Sequence, residues 1–372
     1  MIQEKFIIIG ALPESLVNFR GDLIKALSKK CKVIAMASST VQSVSNTLSS
    51  IGVDFESFPI QRNGLNPIVD FKTYLSLRKS FVKNKPSIIL AYTIKPIIWG
   101  GLASRACPNT KFFALVTGLG FAFQGGSLKR NILSSMVTFL YKQSLKTAEK
   151  VIFQNTDNLE VFVSRGIVPR GKCVTVNGSG VDIEKFAFTP LPSSKQTVFL
   201  TIGRLLGEKG FREYAQAAKI VKQHYPEAIF QLQGPTDPSP DGLKIEEVEK
   251  WQEEGLIEYL GSTDDVRPSI KACHVYVLPS YHEGMPRTVL EAMSIGRPIL
   301  TTDVPGCRET VIEGENGYLV PKQDAKALAE RMIWFIENSQ KRGGMGIKSR
   351  ELAEQKYDVH KVNAELMEIM GL

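Results

Sequence analysis

The sequence predicts an α/β protein of two doubly wound, Rossmann-like parallel-sheet domains facing each other across a cleft. Three observations carry the prediction. Short apolar runs alternate with longer helical stretches along nearly the whole chain, as parallel strands do when helices cover both faces of a sheet. The pattern pauses over 182–196, where Thr189-Pro-Leu-Pro-Ser-Ser194 has the composition of a linker, and restarts at Thr197. The chain's 372 residues are 43% hydrophobic and 23% charged, which suits about two soluble domains with full cores.

Each element follows from its local pattern. Phe6-Ile-Ile-Ile-Gly10 opens a strand over 6–11; the apolar run is too short for the core of a secretory signal. A helix over 15–29 follows, then strands over 32–37 and 53–58, and a helix over 68–82. Strands over 87–92 and 111–116 each run into a loop bearing proline or glycine. A long helix over 127–147 precedes strands over 151–153 and 172–176. In the second half, strands over 197–202, 229–232, 257–259, 275–278 and 298–301 accompany helices over 211–223, 246–254 and 325–337.

Composition excludes several classes of function. No stretch reaches the roughly 18 apolar residues of a membrane-spanning helix. The five cysteines are odd in number and scattered, with no CxxC, so neither zinc nor a disulfide framework is indicated, and reduced cytosolic thiols are expected. The four histidines show no ligand spacing, no DxD motif stands at the candidate site, and no Walker spacing occurs. The charge is divided unevenly. Residues 1–190 hold 24 basic and 11 acidic side chains, a net of +13, while residues 191–372 hold 22 and 27, a net of −5. A basic half points to a large anionic partner, and nucleic acid and anionic lipid both qualify. Nucleic acid is set aside because no reader module or interleaved stacking aromatics accompany the charge. Residues 127–150 carry Lys129, Arg130, Lys142, Lys146 and Lys150 beside Ile132, Leu133, Met136, Val137, Phe139 and Leu140. That composition suits an anionic leaflet, and equally a helix with one buried and one wet face.

Ligands of open parallel sheets sit beyond the carboxyl ends of the strands, so the loops there matter most. After the strand ending at Ile202 comes Gly203-Arg204-Leu-Leu-Gly-Glu-Lys209-Gly210. Its two cations near a helix start make either a diphosphate site or a solvated turn. After Leu278 comes Pro279-Ser-Tyr-His-Glu283-Gly284-Met285-Pro286-Arg287-Thr288-Val289-Leu-Glu291, with a carboxylate in the loop and another in the first helical turn. Glu283 could accept from sugar hydroxyls or face the helix dipole. Glu291 could hold a ribose or close a capping box with Thr288. Thr302-Asp303-Val-Pro305-Gly306 makes either a pocket wall or a plain turn. In the first half, Gly10, Asn18-Phe-Arg20, Lys95-Pro96 and Thr117-Gly118-Leu-Gly120 follow strands or lie on the next helix. Gly118-Leu-Gly120 lacks the third glycine of a dinucleotide fingerprint.

Gly203-Arg204…Lys209-Gly210, Glu283-Gly-x-Pro…Glu291-Ala, Gly296-Arg-Pro298 and Gly314-x-x-Gly317 stand in the order found in glycosyltransferase family 4. So does Asn177-Gly178-Ser-Gly180-Val-Asp182…Phe186. Over nearly its whole length the chain resembles that family of retaining enzymes with the GT-B fold. Asn18-Phe-Arg20, Lys95-Pro96 and Thr117-Gly-Leu-Gly120 are similar to a bacterial subset that extends undecaprenyl-diphosphate-linked sugars, often with N-acetylgalactosamine. Many of those relatives carry a histidine near Thr117-Gly118, and this chain does not.

The resemblance implies a hexosyltransferase that uses a UDP-sugar donor, needs no cofactor or metal, and acts on a polyprenyl-diphosphate-linked saccharide. It implies an acceptor-binding domain over 1–188, a donor-binding domain over 189–355, and a terminal helix over 356–372 crossing back to the first. Arg204 and Lys209 would hold the diphosphate, Glu283 the donor sugar and Glu291 the ribose. Gly10, Gly203, Gly234, Pro235 and the Gly284–Val289 turn would complete the donor site, the turn through its amides except at Pro286. Arg20, Lys95, Thr117 and Gly118 would lie on the acceptor side. The expected location is the inner face of the cytoplasmic membrane, held there by the basic half. The alternative is a nucleotide-sugar epimerase built on the same two-domain plan.

Overall fold

The computed structural model describes residues 4–61, 66–119, 123 and 128–372, with backbone alone at 128–130. The chain divides into two compact units, one of residues 1–179 with 360–372 and the other of residues 180–359.

The first unit runs β1 (Lys5–Ile9), α1 (Pro13–Asn18), α2 (Gly21–Ser28), β2 (Lys32–Ala37), α3 (Gln42–Ser50), β3 (Asp54–Ser57) and α4 (Pro67–Asn84). It continues with β4 (Ile88–Tyr92), α5 (Ile94–Ser104), β5 (Lys111–Val116), α6 (Leu128–Ser144), β6 (Ala148–Phe153), α7 (Thr156–Ser164) and β7 (Cys173–Thr175). Its sheet has the order β3-β2-β1-β4-β5-β6-β7, and every pairing is parallel. Strand periodicity explains the two-faced core. Ile7 and Ile9 enter one apolar cluster with Leu77 and Phe81 of α4, while Phe6 and Ile8 enter the other with Leu23 and Leu27 of α2.

The second unit runs β8 (Val198–Ile202), α8 (Phe211–Lys222), β9 (Ile229–Gln233), α9 (Ile245–Glu253), β10 (Glu258–Tyr259), α10 (Arg267–Ala272) and β11 (Val275–Leu278). Then come α11 (Arg287–Ile295), β12 (Ile299–Thr302), β13 (Gly317–Val320), α12 (Ala325–Glu337) and α13 (Ser339–Leu352). The sheet order is β10-β9-β8-β11-β12-β13, again parallel throughout. Alternation repeats here: Phe199 of β8 faces one cluster, while Val198, Leu200 and Ile202 face the other. The last helix, α14 (Val359–Met370), buries Val362, Leu366 and Met370 in the first unit, against the cluster that holds Phe6 and Ile8.

The α/β class with two parallel sheets is as expected. The helix expected over 15–29 is instead two helices, because the chain turns at Phe19-Arg20 and Arg20 goes inward, with 2% of its surface exposed. Helices α3, α5, α7, α10 and α13 and strand β13 were not expected from the sequence pattern. Their serine, glycine or proline content hides the apolar period, and tertiary packing overrides propensity there. The five cysteines are free thiols.

Candidate active site

In the second unit, β8 and β11 are neighbours, so the loops at their carboxyl ends are adjacent. After β8 the backbone N–H of Gly203 donates to the Gln233 carbonyl at 3.0 Å, and that of Leu205 to Pro235 at 2.9 Å. Gly210 enters α8 with φ of 72°, and a Cβ there would lie 2.0 Å from the Pro279 carbonyl oxygen. Only glycine permits this turn to press on the end of β11. The contact is completed by Tyr281, whose N–H donates to the Glu208 carbonyl at 2.8 Å, and by the Ser280 hydroxyl, which donates to the same oxygen at 3.2 Å.

This docking brings Lys209 to Glu283, with Nζ 2.5 Å from Oε1. The two side chains are only 18% and 13% exposed, so the surroundings screen their attraction less than bulk water would. Arg204 is engaged differently: it pairs with Asp237, from the loop after β9. Burial, the largest single influence, pushes the Asp237 carboxyl up. Hydrogen bonds from Ser239 and the charge and hydrogen bond of Arg204 outweigh it and hold the carboxyl below its usual value. Gly234 and Pro235 lead into this loop, and the Gly234 carbonyl accepts from the Tyr259 hydroxyl at 2.8 Å.

The loop carrying Glu283 is pinned from its other side. The Glu283 N–H donates to the Pro305 carbonyl at 3.1 Å. Gly306 has φ of 85°, and a Cβ there would stand 2.6 Å from the Glu283 carbonyl oxygen. The Thr302 hydroxyl donates to the Ser280 carbonyl. Gly284 and the partly buried Met285 then lead to Pro286, which caps α11 through its backbone without a side-chain hydrogen bond.

Glu291 lies one turn into α11. It is 7% exposed and accepts from Arg287 Nε at 3.0 Å. Burial pushes its carboxyl above the usual glutamate value, and Arg287 and Lys185 pull it partly back. The capping box proposed for Thr288 and Glu291 is therefore absent: the helix starts two residues earlier than that motif needs, and Glu291 turns to Arg287 instead. Val289 cannot offer a free amide either, since its N–H donates to the Pro286 carbonyl at 3.0 Å.

A cavity of about 750 Å³ opens beside this site, bounded by the loops after β11, β12 and β13. Tyr281, His282, Asp303, Pro305, Arg308 and Lys322 line it. Arg308 Nε donates to Asp303 Oδ1 at 2.8 Å. The Tyr281 hydroxyl donates to Glu213 Oε1 at 2.7 Å, and burial together with that bond pushes the phenol up to about 12. The loop of Asp303 to Gly306 is thus a pocket wall. The structure also identifies Asp237, Glu213 and Lys185 as partners of site residues. Asp237 follows a strand end and was open to the same rule that located Arg204, but neither Glu213 nor Lys185 had a local signal.

In the first unit, Gly10 ends β1 with its N–H donating to the Met36 carbonyl at 3.0 Å. Arg20 lies over the Tyr92 ring, 5.5 Å from its centre, and the Tyr92 hydroxyl shares a 2.8 Å hydrogen bond with Ser15. Lys95 Nζ donates to Asp70 Oδ1 at 2.6 Å, both side chains being 14% exposed. Thr117 and Gly118 follow β5 directly. Gly120, Gly125 and Gly126 of the same segment lie outside the described residues, as do the side chains of Lys129 and Arg130.

Comparison with known proteins gives this arrangement a context. Residues 15–155 match the model of glycosyl transferase 4-like domains, and residues 182–352 match glycosyl transferases group 1. The chain is 29% identical over 341 residues to a Campylobacter jejuni N,N'-diacetylbacillosaminyl-diphospho-undecaprenol alpha-1,3-N-acetylgalactosaminyltransferase, covering 88% of each protein. It is 28% identical to an Escherichia coli UDP-Gal:alpha-D-GlcNAc-diphosphoundecaprenol alpha-1,3-galactosyltransferase, covering 74% of this chain and 73% of that one. Among solved structures, Anabaena HepE in complex with UDP aligns with a TM-score of 0.79 at 19% identity, covering 99% of both chains. Sucrose-phosphate synthase from Thermosynechococcus elongatus aligns at 0.82 and 20% identity, covering 99% of this chain and 98% of that one. The epimerase alternative is not favoured by these matches.

Proposed function

The chain is a GT-B glycosyltransferase with a 4-like domain followed by a group 1 domain, and from that premise we propose that it moves a hexose or N-acetylhexosamine from a UDP-sugar to a saccharide on polyprenyl diphosphate. The observation that most supports this reading is the meeting of Lys209 with Glu283 at the ends of β8 and β11, with Arg204 on the first of these loops and Glu291 on the helix that follows the second. The names of the two undecaprenol-linked relatives support the donor and acceptor classes.

In the proposed reaction the bond between the anomeric carbon and the diphosphate breaks, and a bond to an acceptor hydroxyl oxygen forms as that hydroxyl's proton passes to the departing diphosphate. Positive charge grows on the sugar and negative charge on the departing UDP. Arg204 and Lys209 would meet the growing negative charge, which lets the reaction run without a metal. Glu283 would hold the sugar hydroxyls beside the developing cation, and Glu291 the ribose. Gly10, Gly203, Gly234, Pro235 and the Gly284–Thr288 backbone complete the donor site in this proposal. Arg20, Lys95, Thr117 and Gly118 belong to the acceptor side. Retention at the anomeric carbon is part of the same reading and is supported by the motif order. The enzyme would work as a peripheral protein on the inner face of the cytoplasmic membrane. No described helix is long and apolar enough to cross one.

The test is UDP release from a panel of UDP-, GDP- and ADP-sugars, with and without an undecaprenyl-diphosphate-linked acceptor. Release that needs both a UDP-sugar and the acceptor is expected. Acceptor-independent conversion of the donor sugar, or use of GDP-sugars alone, would overturn the proposal.

A further inference from the structure

We propose that the outer face of α4, α5 and α6 docks on an anionic bilayer, and that a pocket between α4 and α5 receives a phospholipid head group. This rests on the reading of the protein as a peripheral membrane enzyme, and it names the surface and the lipid chemistry.

Helix α4 has two apolar faces where a helix on a soluble domain needs one. Leu77 and Phe81 point into the core, with Thr73, Ser80 and Asn84 buried beside them. Ile68, Phe71, Leu75 and Val82 recur at helical spacing on the opposite side and stay between 44% and 67% exposed. Helix α6 repeats the arrangement. Val137 and Tyr141 are buried, while Ile132, Met136 and Phe139 are exposed on the reverse face. Seven of the twelve large apolar side chains exposed among the described residues lie on these two helices. Both helices pack on the same apolar cluster with α5 between them, so their outer stripes look away from the same face of the sheet.

The charge around the stripes is mostly of one sign, with Lys83 of α4 paired to Glu56 of β3 at 3.8 Å. Lys72, Arg78, Lys79 and Lys83 are exposed on α4, Arg105 just after α5 and Lys142 on α6. The single acid in the three helices is Asp70, which Lys95 already neutralises at 2.6 Å. Between α4 and α5 lies a pocket of about 480 Å³ lined by Phe71, Tyr74, Trp99 and Leu102, with Arg78 and Arg105 in its wall. Two arginines among aromatic lining residues, one of them, Arg105, also donating to the Gln143 carbonyl, match a lipid phosphate with its glycerol and first methylenes. The flanking apolar stripes match the acyl boundary. A second copy of this chain fits less well, since a two-fold contact would press one set of cations against another.

Flotation with phosphatidylcholine vesicles, alone or containing phosphatidylglycerol, tests the proposal at low and high salt. Wild type is expected to float only with the anionic vesicles, and less so as salt rises. Arg78→Gln with Arg105→Gln should weaken binding about 5-fold per cation removed, so about 25-fold together. Phe71→Ser with Ile132→Ser should also abolish flotation. Both variants should keep the circular dichroism spectrum and turnover on a short-chain, water-soluble acceptor. Wild type that floats while both variants float equally well places the docking surface elsewhere and leaves the peripheral reading intact. Wild type that floats with neither vesicle at low salt overturns the peripheral reading and this proposal with it. Equal flotation on both vesicles overturns the head-group site. Self-association by light scattering that both variants abolish, without flotation, assigns the face to a second copy and overturns the bilayer.

Discussion

Lys209 and Glu283 lie 74 residues apart in the chain and form an ion pair with Nζ 2.5 Å from Oε1. On the proposed reading one of them meets the diphosphate and the other the sugar of the same donor. The donor must therefore exchange this pair for contacts of its own. Part of the binding energy goes into separating two partly buried charges that would otherwise compensate each other.

Removing either cation should act on the chemical step. Arg204→Ala and Lys209→Ala should each lower kcat by about 10²-fold or more, the scale for losing a preorganised charge partner of a leaving group. Glu283→Gln should also impair kcat by about 10²-fold, since it removes charge beside a sugar becoming cationic while keeping size and polar atoms. Steady-state kinetics on variants with unchanged far-ultraviolet spectra decide the matter. Near-normal kcat in Glu283→Gln would show that the donor sugar does not sit beside it.

Glu291→Gln should act on affinity, because a ribose does not react. A raised Kd for UDP with kcat within a few-fold of wild type is expected by calorimetry and kinetics. The same variant reports on stability. Burial raises the Glu291 carboxyl above its ordinary value of 4.5, so the folded protein binds that proton more tightly than the unfolded chain does. The group favours folding while protonated, and this contribution is lost as pH climbs from the ordinary value through the raised one. The Tm of Glu291→Gln minus that of wild type should therefore increase across that window, less whatever the charge of the Arg287 pair adds to wild type as Glu291 ionises. A difference that stays flat with pH would rule out the burial effect.

Turnover should persist in excess EDTA if, as proposed, Arg204 and Lys209 supply the positive charge at the diphosphate. Loss of activity that magnesium or manganese restores would reveal a required metal.

Gly306→Ala should damage activity through Glu283. The new Cβ would stand 2.6 Å from the Glu283 carbonyl oxygen, and the residue would be held at φ of 85°, which L side chains rarely adopt. The loop must shift, at a cost on the order of 1–3 kcal/mol for the strain alone. A lower Tm with a disproportionate fall in kcat is expected. Wild-type kcat would show that the loops after β11 and β12 are not coupled as their contacts suggest.

The sheets were legible in the sequence because β1, β8 and β11 are buried on both faces and read as nearly continuous apolar runs, broken only by Lys5 at the start of β1 and Thr201 in β8. Strand ends then located Arg204, Lys209 and Glu283. Their pairing was not legible, since it depends on β8 lying beside β11 in the sheet and on Gly210 pressing against Pro279. The capping box that Thr288 and Glu291 offer does not form, because the backbone caps α11 at Pro286 and Glu291 turns to Arg287. Helices α3 and α13 were missed for a different reason. Their serine- and glycine-rich sequences have little helical preference of their own and gain it by packing.

The placement of α14 has a consequence for how the chain matures. Val362, Leu366 and Met370 complete an apolar cluster that includes Phe6 and Ile8, so β1 and α14 belong to one core although about 350 residues separate them. During synthesis that core stays incomplete until α14 has left the ribosome, whereas residues 180–359 are contiguous and can close first. A fragment ending before residue 360 would leave the trough over Phe6 and Ile8 uncovered, which invites chaperone capture or aggregation.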